Sequence, residues 1–385
     1  MTPILPEAHW RHRTGFDGLC ILLGAEEDTV RIVGGAVRDG LLGIDVNDID
    51  LATRLLPEEV TERLTSAGIK VVPTGIAHGT VSAIVHHHPV EITTLRRDVS
   101  TDGRRATIAY TDDWQADAAR RDFTINALYA DPLTGVVHDY FGGLDDLAHK
   151  RVRFIGDAHQ RIAEDHLRIL RYFRFLARFG TLPPDSEAYG ACVGMANSLM
   201  ALSRERIADE LMKLLALPDP SPVLKLMIEG GVLAPVLPEI GLDGLVRLER
   251  LLRKEKDALA SPSPLIRLGA LLPQDAAVGE QVAARLKLSN KARKRVAAAL
   301  APPPAHENPF ELAFRVGQET ATDQLLLGNG DDVADIRALR DWTMPEFPIG
   351  GRDLLQLGVE PGPAVAQILG IVRDRWIAEG FPDRV

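Results

Sequence analysis

The chain has 385 residues, 45% of them hydrophobic and 25% charged, with a formal net charge of −10. That length implies two or more domains, and the composition is that of a globular protein rather than a disordered or membrane-embedded one. No run of ~18 apolar residues is present to span a bilayer. Cys20 and Cys192 stand too far apart to form a motif, which fits a reducing compartment and makes the cytoplasm the expected location.

The first ~140 residues read as mixed α/β. Val30–Val33 is a short apolar run ending in Gly34 and Gly35, as a buried strand entering a turn would be, and a helix is predicted from Ala36 to Leu42. Ile49–Ala52 reads as a second strand and Pro57–Gly68 has helical periodicity. Val81–Val85 and Val90–Leu95 read as a strand pair joined by the polar turn HHHP. The consecutive histidines His86, His87 and His88 would alternate faces in a strand, so a hairpin turn suits them better than a metal site. Asp131–Gly135 is a turn, and Asp122–Tyr129 is too short to classify. From about residue 157 helical periods dominate, broken by Pro and Gly clusters. The expected fold class is therefore α+β: an α/β head followed by all-α segments.

Net acidity argues against a nucleic-acid partner, but the distribution is uneven. Lys150–Arg178 holds eight Lys/Arg against three Asp/Glu, and Arg285–Arg295, RLKLSNKARKR, holds six basic residues and no acid. These stretches read either as localised polyanion-binding surfaces or as solvated helix faces.

The chemistry begins in VGGAVRDGLLGIDVNDIDL, residues 33–51. Asp48 and Asp50 are two apart, which on a strand places them on one face. Two such carboxylates suit Mg²⁺, a hard cation often held by one or two protein carboxylates plus substrate phosphates. The acid pair alone reads equally well as an Asx-rich turn, because DVNDID also contains Asp45 and Asn47. The glycines favour the first reading. A Gly34–Gly35 turn at a helix start exposes N–H groups to a phosphate, and Arg38, one turn in, reaches the same anion. The spacing is neither the G-x-G-x-x-G of a dinucleotide fold nor a Gly-Lys-Ser/Thr phosphate loop. Glu91, in the alternating stretch VEITTL, is a candidate third carboxylate from a neighbouring strand, or a solvent-facing strand residue. In EDHLRILR, Asp165 and Arg168 are three apart, so a continuous helix would set them on one face with the donors and acceptor needed to read a base edge. Leu167, Leu170, Phe173 and Ala177 repeat at helical spacing as the core stripe of that helix. An ordinary surface ion pair is the alternative.

Taken together, GGAVRD with Asp48-x-Asp50, RRDFTINAL at 120–128 and AEDHLRILRYFRFLARFG at 163–180 resemble the metal, ribose and base-reading motifs of the class II CCA-adding tRNA nucleotidyltransferase and bacterial poly(A) polymerase family. GGRDLLQLGVEPGPAVAQIL, residues 350–369, is similar to the family's tail segment. The resemblance implies a head domain at 1–148, a helical neck at 149–220, a body at 221–310 and a tRNA-binding tail at 311–385. It implies that Asp48 and Asp50 hold Mg²⁺, and that Gly35 and Arg38 bind the triphosphate of CTP or ATP. Arg121 and Asp122 would contact the ribose and phosphates with Asn126 in support. Asp165 and Arg168 would pair with the base edge, and Arg171 would hold the nucleotide nearby.

The implied reaction is untemplated addition of C, C and A to the 3′ end of tRNA. Residues 96–117, rich in Arg and Asp, stand where full CCA-adding members carry a flexible loop that CC-only relatives lack, which implies full addition. Poly(A) polymerase is the close alternative, although polyadenylating relatives tend to carry basic extensions. From other classes, a small-molecule nucleotidyltransferase would leave the base-reading motif without purpose, and an RNA-binding scaffold would not need Asp48 and Asp50.

Overall fold

The computed structural model describes residues 3–75, 79–102 and 105–382, and of 73–75, 98–102 and 105–108 the backbone alone. The chain divides into two compact units, Met1–Glu210 with Glu229–Val236, and Leu211–Ile228 with Leu237–Val385.

Seven strands organise the first unit: β1 (Val30–Val33), β2 (Ile49–Thr53), β3 (Lys70–Gly75), β4 (Thr80–Val85), β5 (His88–Thr94), β8 (Leu128–Ala130) and β9 (Val137–Asp139). They form one mixed sheet in the order β3-β4-β5-β2-β1-β8-β9. Among the described residues only β2 and β5 run parallel; every other pairing in this sheet is antiparallel. β1 is buried at all four positions, as a strand covered on both faces should be. Even Arg31 is inside: Asp28 accepts from it at 2.7 and 2.9 Å, and its guanidinium lies 4.4 Å from the centre of the Trp114 ring. The four strands anticipated from sequence are present. The HHHP turn is a two-residue loop in which His86 and His87 take φ of 45° and 70°, and Val85 pairs with His88, the left-handed pair that a tight hairpin requires.

Helices α1 (Phe16–Leu22), α2 (Gly35–Leu41), α3 (Pro57–Ser66), α4 (Trp114–Ala119) and α5 (Gly143–Ala148) accompany the sheet. Pro57 begins α3, and Glu59 accepts the Leu56 N–H at 2.8 Å, closing the helix start. The polar segment 96–117 is a two-stranded antiparallel ribbon, β6 (Arg96–Asp102) with β7 (Arg105–Tyr110), leading into α4; positions 103 and 104 lie outside the described residues.

Helices α6 (Ala158–Glu164), α7 (Arg168–Phe179), α8 (Ser186–Gly194) and α9 (Arg204–Leu215) follow. The sequence pattern treats 163–180 as one helix, and the structure corrects it. α6 stops at Glu164 and Asp165 is extended, at φ −151° and ψ 106°. The Asp165 carboxylate accepts the Leu167 N–H at 3.1 Å, a local turn that competes with the helical ladder. The buried face of α7 is also wider than the predicted stripe, taking in Ile169, Tyr172, Phe175, Leu176 and Phe179.

The second unit is helical: α10 (Ser221–Glu229), α11 (Leu242–Ala258), α12 (Pro264–Leu271), α13 (Ala276–Arg285), α14 (Asn290–Leu300), α15 (Pro309–Val316), α16 (Gln318–Leu327), α17 (Val333–Arg340), α18 (Gly351–Gln356) and α19 (Pro363–Ala378). Leu248 and Leu251 of α11 share its core with Leu268, Val282, Val296 and Leu339. α11 and α12 touch so closely at Gly244 that a Cβ there would meet the Leu271 carbonyl oxygen at 2.2 Å. Buried charges are matched: Glu255 accepts from Arg267 at 2.7 Å, and Lys254 donates to Asp332 and to the Leu325 carbonyl, each at 2.7 Å. Among the described residues no helix is long and apolar enough to cross a membrane.

Candidate active site

Asp48 immediately precedes β2, and Asp50 is the one exposed position of that strand. Across the parallel pairing, Asp50 is in register with Glu91 of β5, which is also exposed. Side chains in register on neighbouring strands project to the same face, so the sheet brings Asp50 and Glu91 together. Asp50 is open to solvent, yet desolvation by the surrounding protein raises its pKa above the usual carboxylate value. The charges of Glu91 and Asp48 add to that rise and Arg121 opposes it. Three acids thus bear on one another. Among the described residues, no three His, Cys, Asp or Glu side chains converge tightly enough to cage an ion on their own.

The glycine turn lies beside them in the fold. Gly34 has φ 70° and ψ −122°, a backbone that favours glycine, and a Cβ there would lie 3.4 Å from Arg121 Nη1. Gly35 opens α2. Arg38 is not at the surface. It is 6% exposed, its Nε donates to Asp39 at 2.7 Å, its Nη1 donates to Asn126 Oδ1, and its guanidinium lies 4.1 Å from the Phe179 ring centre. Burial lowers its pKa, with Asp39 opposing. In this position Arg38 braces the glycine turn against α7.

The RRD segment is equally well held. Arg121 Nε donates to the Tyr129 hydroxyl at 3.1 Å and Nη2 to Asp117 at 3.2 Å. Asp122 accepts from Asn126 Nδ2 at 2.9 Å, from its neighbour's Phe123 N–H at 2.9 Å, and from Arg171 Nε at 2.8 Å. Burial alone would raise the Asp122 pKa; Arg171, Asn126 and Phe123 outweigh it and hold the carboxyl below the ordinary range. Arg171 also lies 3.7 Å from buried Glu210, which accepts from Arg174 at 2.6 Å.

Asp165 and Arg168 do not pair with each other. Asp165 Oδ2 accepts from Arg206 of α9 at 2.8 Å, while Arg168 Nη1 donates to Glu164 and to the Arg161 carbonyl, both at 2.6 Å. Arg161 in turn donates to the carbonyls of Arg120 and Arg121 at 2.5 Å, which ties α6 to the RRD segment. The surface-pair alternative for Asp165 and Arg168 is therefore not what the chain forms.

Sequence reasoning passed over Asp117, Asp146 and Glu210. Asp117 lies three and four residues before Arg120 and Arg121 in an alanine-rich turn, a helical ion-pair spacing that could have marked it. Asp146, fully buried, accepts from Thr124 at 2.6 Å and Arg153 at 2.9 Å. Glu210 gave no local signal, because its partners lie more than thirty residues upstream. The basic run 285–295 also changes meaning. Arg285 pairs with Glu239 at 2.6 Å, Arg293 with Glu280, and Arg295 with Asp323 at 2.8 Å. Lys287, Lys291 and Lys294 remain exposed. A cleft of about 1270 Å³ in the second unit, lined among others by Lys225, Leu252, Arg253 and Lys256, contains none of the motif residues.

Residues 30–153 match the family model described as "Poly A polymerase head domain", and residues 183–242 match "Probable RNA and SrmB- binding site of polymerase A". The CCA tRNA nucleotidyltransferase 1, mitochondrial, of Mus musculus is 36% identical over 98% of this chain and 89% of its own length. The CCA-adding enzyme of Levilactobacillus brevis is 32% identical over 91% of this chain and 90% of its own. Among solved structures, the Bacillus stearothermophilus CCA-adding enzyme in complex with CTP superposes with a TM-score of 0.75 at 27% identity, covering 97% of this chain and 95% of that one. With near-complete coverage at such identity, and with the acid pair, glycine turn and RRD segment in one unit, the chain belongs to the family of CCA tRNA nucleotidyltransferases, metal-dependent enzymes that complete the tRNA 3′ end.

Proposed function

We propose that this chain adds C, C and A in turn to the 3′ end of tRNA, using CTP and ATP and releasing pyrophosphate. The observation that carries the reading is the lateral register of Asp50 with Glu91, with Asp48 beside them: mutually repelling carboxylates on an open face next to a glycine turn. Such a set fits a divalent cation, whose charge relieves the repulsion, and its hard oxygens fit Mg²⁺. Asp48 and Asp50 would hold the ion and Glu91 would complete the acid face. Mg²⁺ bound there supplies neutralisation of phosphate charge and activation of the attacking hydroxyl.

The rest of the chemistry is positioning. The Gly35 N–H and the Arg121 guanidinium take the triphosphate, while the Gly34 N–H is held by the Leu128 carbonyl at 3.0 Å, and Asp122 and Asn126 orient the ribose. Arg38 and Arg171 act from within, as braces of the glycine turn and of Asp122. Asp165 and Arg168, fixed independently by Arg206 and Glu164, present an acceptor and a donor to the base edge, so the protein reads the nucleotide without a template. The β6–β7 ribbon belongs to the full CCA-adding mode. The helices after residue 220, divided into body and tail at about 310, grip tRNA through phosphates and shape. Buried, unpaired Cys20 and Cys192 suit the reducing cytoplasm proposed as its location.

The test is end-labelled extension of tRNA lacking its 3′ end, with Mg²⁺ and with CTP and ATP separately and together, sequencing the products. A discrete three-nucleotide product, absent from the Asp48→Ala/Asp50→Ala variant, is expected. Addition that halts after two C residues, or a long A tail on any RNA, would overturn the full CCA reading. Activity surviving in the double variant would overturn the assigned acids.

A further inference from the structure

A carboxylate inside a protein is costly unless its charge is matched. Asp117 is 1% exposed and stands in α4, among alanines that need no partner. Four donors from three elements converge on it. Oδ1 accepts from Arg120 Nε at 2.9 Å and from the Arg96 N–H, the first residue of β6, at 3.2 Å. Oδ2 accepts from the Tyr129 hydroxyl of β8 at 2.6 Å and from Arg121 Nη2 at 3.2 Å.

These hydrogen bonds run in one direction. The Tyr129 hydroxyl accepts from Arg121 Nε and donates its own proton to Asp117, while Asp117 also accepts from Nη2. The guanidinium carbon lies 5.3 Å from the Tyr129 ring centre, so its plane is fixed as well. One edge of the guanidinium is thereby held, and Nη1 is the nitrogen that faces Gly34. A planar fork held on one edge can present only the other.

We propose that Asp117 is the positioning residue that aims Arg121 at the glycine turn, and that it does so from the foot of the β6–β7 ribbon. The proposal rests on Arg121 contacting the nucleotide, as the proposed function has it. Because the Arg96 N–H shares the same carboxylate, the ribbon and the aimed guanidinium have one common anchor. The Arg120 backbone, whose side chain is also on Asp117, is the strand of chain that Arg161 and Arg168 grasp through its carbonyl, at 2.5 and 3.5 Å.

The experiment is a double-variant cycle on the full chain: wild type, Asp117→Asn, Arg121→Ala and the combination. Steady-state KM for CTP and kcat are measured with tRNA lacking its 3′ end, and Tm is followed to report folding. Asp117→Asn keeps the shape and removes the charge. KM should rise about tenfold with kcat per folded enzyme within about threefold, and the increment should vanish in the Arg121→Ala background, because a residue acting through Arg121 has nothing left to aim. A structural role alone would lower Tm or kcat and leave KM in place. An undiminished effect of Asp117→Asn on top of Arg121→Ala overturns the proposal, as does an unchanged KM in Asp117→Asn while Arg121→Ala raises it. If Arg121→Ala itself leaves KM unchanged, the nucleotide role of Arg121 fails and the proposal fails with it. Should Asp117→Asn not fold, Tyr129→Phe, which removes one donor and keeps all charges, should give a smaller KM rise that is likewise absent without Arg121; a rise that persists there overturns the inference.

Discussion

Two stretches of this chain look alike on paper and end in different places. Lys150–Arg178 and Arg285–Arg295 are its two basic concentrations, and either one reads as a polyanion-binding surface. In the first, seven arginines find carboxylates inside the unit: Arg151 and Arg153 share Asp146, Arg161 and Arg168 share Glu164, Arg171 takes Asp122, Arg174 takes Glu210 and Arg178 reaches Asp39. In the second, the arginines pair with Glu239, Glu280 and Asp323, of which only Asp323 is buried, while the lysines stay outside. The difference teaches that a local excess of positive charge is no measure of free charge. Arginine's planar fork suits fixed internal pairs, and lysine's point charge on a flexible stem suits solvent and phosphate.

The sharpest way to break this comparison is to remove an acid from the first stretch's network. Glu210→Ala takes the buried carboxylate away from Arg174 and from one edge of Arg171. The expected loss of unfolding free energy is on the order of 3 kcal/mol, read from urea denaturation. A loss under about 1 kcal/mol would mean that these pairs behave like surface pairs.

A second, smaller effect concerns pH. The folded pKa of Asp122 is held below its unfolded value. Its contribution is therefore fully present above the ordinary carboxylate range, about pH 4, and is lost as pH falls through the lower folded value. Asp122→Asn should flatten the acid limb of the stability curve and leave its slope near neutrality unchanged. An unchanged acid limb would remove Asp122 from the acid response.

The mildest effect on folding belongs to the second stretch. Lys291→Glu with Lys294→Glu should leave stability within about 0.5 kcal/mol. The pair should instead raise KM for tRNA several-fold and make tRNA binding less sensitive to salt, by roughly one unit of log–log slope for each phosphate no longer neutralised. Unchanged salt dependence would mean that these lysines do not meet RNA.

The same contrast explains what was legible in advance. Strand identity in the head was readable because Val30–Val33, Ile49–Ala52, Val81–Val85 and Val90–Leu95 are short apolar runs bounded by turn residues. The histidine turn was readable for the same reason. The break at Asp165 was hidden because the residues that set the helical spacing, Leu167, Leu170 and Phe173, all lie after it; the side-chain hydrogen bond to Leu167 shows why the ladder stops. The ribbon 96–110 was hidden by its polar composition, since a two-stranded ribbon needs no apolar face to register in the pattern. In the site, the acid pair and the RRD segment were visible as motifs. The identity of each partner was not, because Arg171 and Asp122, or Arg174 and Glu210, meet across 49 and 36 residues of chain.

The register of β2 with β5 bears on how this chain can change length over time. Parallel neighbours need a long crossover, and here everything between Thr53 and His88 serves as that crossover. Gains and losses of residues in the turn between α3 and β3 are silent for the acid face as long as Asp50 stays opposite Glu91. A single insertion between Val90 and Glu91 would instead exchange Glu91 with the buried face that Ile92 now occupies. Divergence in this region should therefore accumulate between α3 and β3 and stop at β4, which pairs with β5 residue by residue, Ser82 opposite Glu91.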